Sequence, residues 1–169
     1  MIKEFVPNIR QTMKLTSYLQ WKNLQHPVLT EYQTELWLRY TSCNNPDISG
    51  NKLLKLKYQL EQALQQKYPG LLTFGGAFSN HIIAVAAAGK ENGFKTIGII
   101  RGEELKDQVD DNPTLAKAQE FGMVFDFISR EEYRIKNNPD FIEKLTEKFG
   151  DFYFIPEGGT NDLAVKGCQ

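Results

Sequence analysis

The sequence predicts an α/β fold: an open, mainly parallel sheet with helices on both faces. Three observations carry this. The runs LLTF, TIGIIR, VFDFIS and FYFIP are apolar almost throughout, as strands buried on both faces of a parallel sheet must be. Each precedes a segment that can be read as helical, giving β-α alternation with right-handed crossovers. Finally, three of those segments end at glycine, Gly93, Gly122 and Gly150, and two begin at Asn-Pro, the residues suited to helix stops and starts.

Taken in order, the first 35 or so residues mix turn formers and aromatics without a clean period, and read as an irregular arm with one short helix. ELWLRY alternates like a strand, and TSCNNPDISGN is a loop by composition. At about 100° per residue, Leu53, Leu56, Leu60, Ala63 and Leu64 then share one stripe of a helix that ends before Tyr68-Pro69-Gly70. The four strands and their helices follow: SNHIIAVAAAGKENG, NPTLAKAQEFG, NPDFIEKLTEKFG and TNDLAVKGCQ. The last is only about two turns long, against a mean of roughly 11 residues, so the architecture reads as cut off at Gln169. Ligands of open α/β sheets bind beyond the carboxyl ends of the strands, which singles out the loops GGAFSNH, RGEEL, SREEY and PEGGTN.

Composition narrows the function classes. The 20 basic and 21 acidic residues leave a net charge of −1 without blocks of one sign, so neither nucleic acid nor an anionic membrane surface is expected as a partner. No run approaches the roughly 18 apolar residues of a membrane span, and MIKEFVPNIR lacks the apolar core of a secretory signal; a cytoplasmic location is expected. Two distant cysteines and two histidines give no metal-ligand spacing.

The stretch DISGNKLLKLKY places Lys52 behind a Ser-Gly-Asn turn, at the first position of a helix. The unpaired amides there carry partial positive charge, the wrong place for a surface cation but one that favours the neutral, nucleophilic amine. Lys52, Lys55 and Lys57 read equally as solvated charges beside the apolar stripe. In TFGGAFSNH the glycine pair permits a tight turn and Ser79-Asn80 can cap the next helix, aiming its amides at a ligand; a plain capped turn is the competing reading. His81 suits a packed imidazole as well as a proton donor. Gly158-Gly159 offer an anion nest or an ordinary turn. Spacings for dinucleotide or Walker phosphate binding are not met.

DISGNKLLKLKYQL, LLTFGGAFSNHIIAVAAAGKENGFKTIGIIRGE, NPTLAKAQEFGM and YFIPEGGTNDLAVKGC, in this order and spacing, resemble the 1-aminocyclopropane-1-carboxylate deaminase and D-cysteine desulfhydrase family, whose fold is that of the tryptophan synthase beta subunit. The resemblance runs from about Glu35 to the last residue. It implies pyridoxal 5'-phosphate as cofactor, a small amino acid as substrate, and ammonia with a 2-oxo acid as products; full-length relatives are implied to be homodimers. By position, Lys52 matches the lysine that bonds to the cofactor aldehyde and later moves protons, Asn80 the partner of the cofactor's phenolic oxygen, and Ser79 a serine near the substrate carboxylate or acting in ring opening. His81, Gly158 and Gly159 match substrate-facing positions. Residues 1–50 would be an arm and part of the large cofactor domain, 51–155 the small α/β domain, and 156–169 the start of the return. Two departures stand out. The family's basic pair and acidic residues before SGNK are replaced by Arg39-Tyr40-Thr41-Ser42, and the family's phosphate loop, pyridine-nitrogen partner and substrate-facing tyrosines have no counterpart. Hence the rival readings: a catalytically silent domain, or a half-enzyme that needs a partner chain. A nucleotide-binding module rests on fold analogy alone. The chain by itself is expected to hold the cofactor weakly, with labelling spread over several lysines.

Overall fold

The computed structural model describes residues 17–43, 45–48 and 50–169. Strands β1 (Ser17–Leu24) and β2 (Leu36–Cys43) form an antiparallel ribbon around the short helix α1 (Pro27–Glu31). The expected short helix is present, but a strand stands where the sequence suggested irregular chain. The cause is visible in the exposure of Trp21, Leu36, Trp37 and Tyr40. Alternation marks a strand with one buried face, and none of the β1 residues whose burial is described, 20–24, is buried.

Apart from α5, the remaining elements alternate as predicted: α2 (Asn51–Gln65), β3 (Gly70–Gly76), α3 (Asn80–Asn92), β4 (Lys95–Arg101), α4 (Pro113–Glu120), β5 (Met123–Ile128), α5 (Arg130–Arg134), α6 (Pro139–Phe149), β6 (Tyr153–Ile155) and α7 (Asp162–Cys168). The sheet order is β5-β4-β3-β6, parallel throughout. Side chains alternate across it. Leu71, Ile100, Tyr153 and Ile155 join a front core with α2, α3 and α4, whereas Leu72, Phe74, Ile97 and Ile99 join a back core with Tyr133 of α5 and Leu145 of α6. Each fully buried side chain of this size contributes about 1.5–3 kcal/mol. The AVAAAG run of α3 is small because the helix lies close on the sheet: a Cβ at Gly89 would overlap the Thr96 side chain.

The predicted punctuation holds in detail. Asn112 accepts the amides of Thr114 and Leu115, and Asn138 that of Asp140, each just ahead of an N-terminal proline. Gly93 is left-handed (φ 75°) and donates to Gly89. The short helix α5 was not anticipated, although its reciprocal capping pair, Ser129 with Glu132, is plain in SREE.

Helices α2 and α3 both start at the carboxyl edge of the sheet. Lys55 of α2 reaches the segment after β6, while Gln62, two turns on, accepts from the Tyr153 hydroxyl at the start of that strand (3.1 Å). The segment leading into α2 is held by Asn45 bonding Glu91 of α3 and by Asp47 pairing with Lys117 of α4. Helix α7 packs on α2 so tightly that a Cβ at Gly167 would overlap the Leu54 carbonyl. No helix among the described residues is long and apolar enough to cross a membrane.

Candidate functional site

Lys52 is the second residue of α2, one position later than the sequence suggested but within its first turn. Gly50, at φ 67°, precedes the helix and provides no side-chain cap, so the chain enters α2 through a left-handed step natural to glycine. Half-buried there, the Lys52 amine is pushed below its ordinary 10.5, chiefly by burial and further by the Lys55 charge. Both effects favour the uncharged amine.

The glycine pair at 75–76 departs from expectation. Both residues belong to β3, and the turn falls on Ala77-Phe78. Gly75 is needed for packing instead: a Cβ there would run into Ile82 and crowd Ser79. Ser79 occupies the N-cap position of α3, yet its hydroxyl caps no amide and has no hydrogen-bond partner among the described residues. Asn80, the first helical residue, is exposed. Lys52, Ser79 and Asn80 lie on the front face, at the carboxyl edge where α2 and α3 begin.

His81 points inward, 2% exposed. Thr73 donates to the Ile155 carbonyl (2.9 Å), so its oxygen accepts from His81 Nε2 (2.9 Å). This fixes the tautomer and leaves Nδ1 unprotonated, with no hydrogen-bond partner. Burial, then the charges of Lys52 and Lys55, hold the ring down to a pKa of about 3, against a small opposing pull from the Pro156 carbonyl. His81 is therefore a neutral, packed imidazole behind the site, the quieter of its two sequence readings.

The ring edge lies against Gly159, where a Cβ would come 3.2 Å from His81 Cε1. Gly158 and Gly159 sit at φ 67° and 68°, so the PEGGTN segment turns through two left-handed residues. Lys55 Nζ donates to the Thr160 hydroxyl (2.9 Å) and the Gly158 carbonyl (3.4 Å), and Gln59 donates to the Gly159 carbonyl (3.0 Å). Asn161 caps α7 through Ala164 and donates to Gln59 (3.0 Å). The sequence reading missed Gln59, Thr73 and Asn161. Two had a visible signal: Gln59 interrupts an apolar helix stripe, and Thr73 is the polar member of LLTF. The flagged residues of RGEEL serve elsewhere, Glu104 pairing with Arg130 (2.9 Å) and Arg101 lying over the Tyr133 ring.

An exposed amide at Asn80, an unengaged hydroxyl at Ser79 and an amine of lowered pKa fit the aldehyde and phenolic end of a pyridoxal ring. No protein-family model matches the chain. A mitochondrial protein of Arabidopsis thaliana named as a bifunctional D-cysteine desulfhydrase and 1-aminocyclopropane-1-carboxylate deaminase is 31% identical over 142 residues, covering 79% of this chain and 35% of the relative. A Thermotoga maritima protein provisionally named as the deaminase is 38% identical over 122 residues, 70% of this chain and 38% of its own length. Among solved structures, a homologue of that deaminase superposes with a TM-score of 0.60 at 24% identity, over 88% of this chain and 45% of the other. An O-ureido-L-serine synthase gives 0.53 at 19%, over 79% and 40%. The chain thus spans 35–45% of the length of the proteins it matches. Within that span it belongs to the pyridoxal-phosphate-dependent family of 1-aminocyclopropane-1-carboxylate deaminases and D-cysteine desulfhydrases, whose amino-terminal part it matches.

Proposed function

We propose that this chain carries the amine-bearing side of a site that removes ammonia from a small amino acid, D-cysteine or 1-aminocyclopropane-1-carboxylate, leaving a 2-oxo acid. The observation that carries the reading is Lys52, an amine of lowered pKa in the first turn of α2, on the face and edge where Ser79 and Asn80 stand unengaged. Lys52 would hold the cofactor through its aldehyde and Asn80 would bond its phenolic oxygen. When bound, pyridoxal phosphate supplies an electron sink for charge developing at the substrate Cα. The protein's own work is then positional and protonic. Lys52 Nζ, favoured as the free amine, takes a proton and returns it. Ser79 is free to bond a substrate carboxylate or to assist ring opening. The first amides of α3 and the Gly158-Gly159 turn suit an anionic group. His81, kept neutral, adds no competing charge behind them.

Each taking up one water, D-cysteine would yield hydrogen sulfide, pyruvate and ammonia, and the cyclopropane would yield 2-oxobutanoate and ammonia. The GGAFSNH stretch tilts the reading toward the desulfhydrase branch. A second reading is a domain silent by itself or active only with a partner chain; the stretch matched is 35–38% of the relatives' length.

The test is to mix the chain with pyridoxal phosphate, reduce with borohydride and map the modified lysines, with Lys52→Ala alongside. The lowered pKa moves the expectation from indiscriminate labelling to Lys52 first, several-fold above Lys55 and Lys57. Labelling without that preference overturns the site. Release of ammonia or sulfide that disappears in Lys52→Ala separates the active reading from the silent one.

A further inference from the structure

We propose that Gln59 is a positioning residue that locks the Gly158-Gly159 turn to the helix carrying Lys52. The inference rests on the reading above only in taking that turn and Lys52 as parts of one site. Gln59 occupies the buried side of α2 between Leu56 and Leu60 and is 0% exposed. A primary amide there, where the stripe calls for an apolar residue, is costly for each group left unpaired. None is. Nε2 donates to the Lys55 carbonyl of its own helix (2.9 Å) and to Gly159 O (3.0 Å), and Oε1 accepts from Asn161 (3.0 Å). The bond within α2 fixes the orientation of the side chain, and the other two reach across to the turn and to the cap of α7.

Positions 52, 55 and 59 follow the three- and four-residue spacing that shares one helix face. That face touches Gly158, Gly159, Thr160 and Asn161 in succession. The turn needs such a tether, because two adjacent glycines in left-handed conformations hold their shape weakly by themselves. The Lys55 bond to Thr160 is exposed and open to water, whereas the Gln59 bond to Gly159 is buried, where a hydrogen bond is electrostatically stronger. Seven residues of helix, about 10 Å along its axis, separate Lys52 from the residue that grips the turn. Leucine at 59 would continue the apolar stripe and keep the helix packed; it could not grip the carbonyl.

The experiment compares Gln59→Leu with the unaltered chain by backbone-resolved amide hydrogen exchange and by the carbonyl carbon resonance of Gly159. Expected is an acceleration of tenfold or more confined to residues 158–161, a moved Gly159 carbonyl signal, and no acceleration in β3 or β4. Unchanged exchange at 158–161 overturns the proposal, as does acceleration spread evenly over the sheet. Asn161→Asp, which retains the acceptor that caps α7 and removes the donor to Gln59, decides the matter should Gln59→Leu fail to fold: a smaller acceleration, about threefold, at the same residues supports the lock, and none refutes it. Neither readout needs the cofactor. Lys52 labelling of the unaltered chain tests the functional reading separately, and its failure would leave the exchange result standing.

Discussion

At the scale of single residues, the front face behind Lys52 is governed by keeping charge out. His81 titrates near 3 in the folded chain and near 6.5 when unfolded. Below about pH 6.5 the unfolded chain therefore binds a proton that the native chain refuses, and stability falls as pH falls. The slope from this one group is about 1.4 kcal/mol per pH unit. Urea unfolding from pH 7 to 5 should lose about 2 kcal/mol on this account, and His81→Gln should flatten the slope while costing stability at pH 7, since Thr73 loses its imidazole partner. An equal slope in both proteins would mean that the imidazole takes up its proton without unfolding. The same logic sets the order of amine reactivity. With the pKa of Lys52 lowered by burial and Lys55, acetylation by a limiting acylating reagent at pH 8 should modify Lys52 ahead of Lys57, read by peptide mass analysis.

At the scale of elements, capping offers a graded test. Asn112 is buried and satisfies two amides; Asn138 is exposed and satisfies one. Loss of an N-cap costs about 0.5–2 kcal/mol, so Asn112→Ala should fall at the upper end and Asn138→Ala at the lower, measured by thermal unfolding. These same residues explain what was legible in the chain. Asn112-Pro113 and Gly122 announce their helix because capping is chemistry between near neighbours. LLTF and TIGIIR announce their strands because burial on both faces removes polar residues. β1 went unread because SYLQWKNL carries no clean period, and none of its residues whose burial is described is buried. Lys52, Ser79 and Asn80 stood out through their turns and helix starts, whereas Gln59, Thr73 and Asn161 act across about 80 to 100 residues of sequence, which no local pattern encodes.

At the scale of the whole molecule, order is distributed unevenly. The β1–β2 ribbon carries exposed Trp21, Trp37 and Tyr40, and an isolated two-stranded ribbon is marginal in water. Its amides should exchange at least a hundredfold faster than those of Phe74 and Ile99, which lie in the buried sheet; comparable protection would mean that the ribbon is covered in solution. The strand order β5-β4-β3-β6 also bears on how the molecule comes into being. β3 is made early, yet one of its edges waits for Tyr153–Ile155, paired with Leu71–Thr73 across some eighty residues. Non-local pairing of this kind is slow and leaves strand edges exposed to aggregation in the meantime. On a ribosome, β3, β4 and β5 can assemble first, while Lys55 and Gln59 still lack the turn they hold. The tether from Lys55 and Gln59 to the Gly158-Gly159 turn is thus completed only after Tyr153–Ile155 has docked, later than the pairing of β3 with β4 and β5.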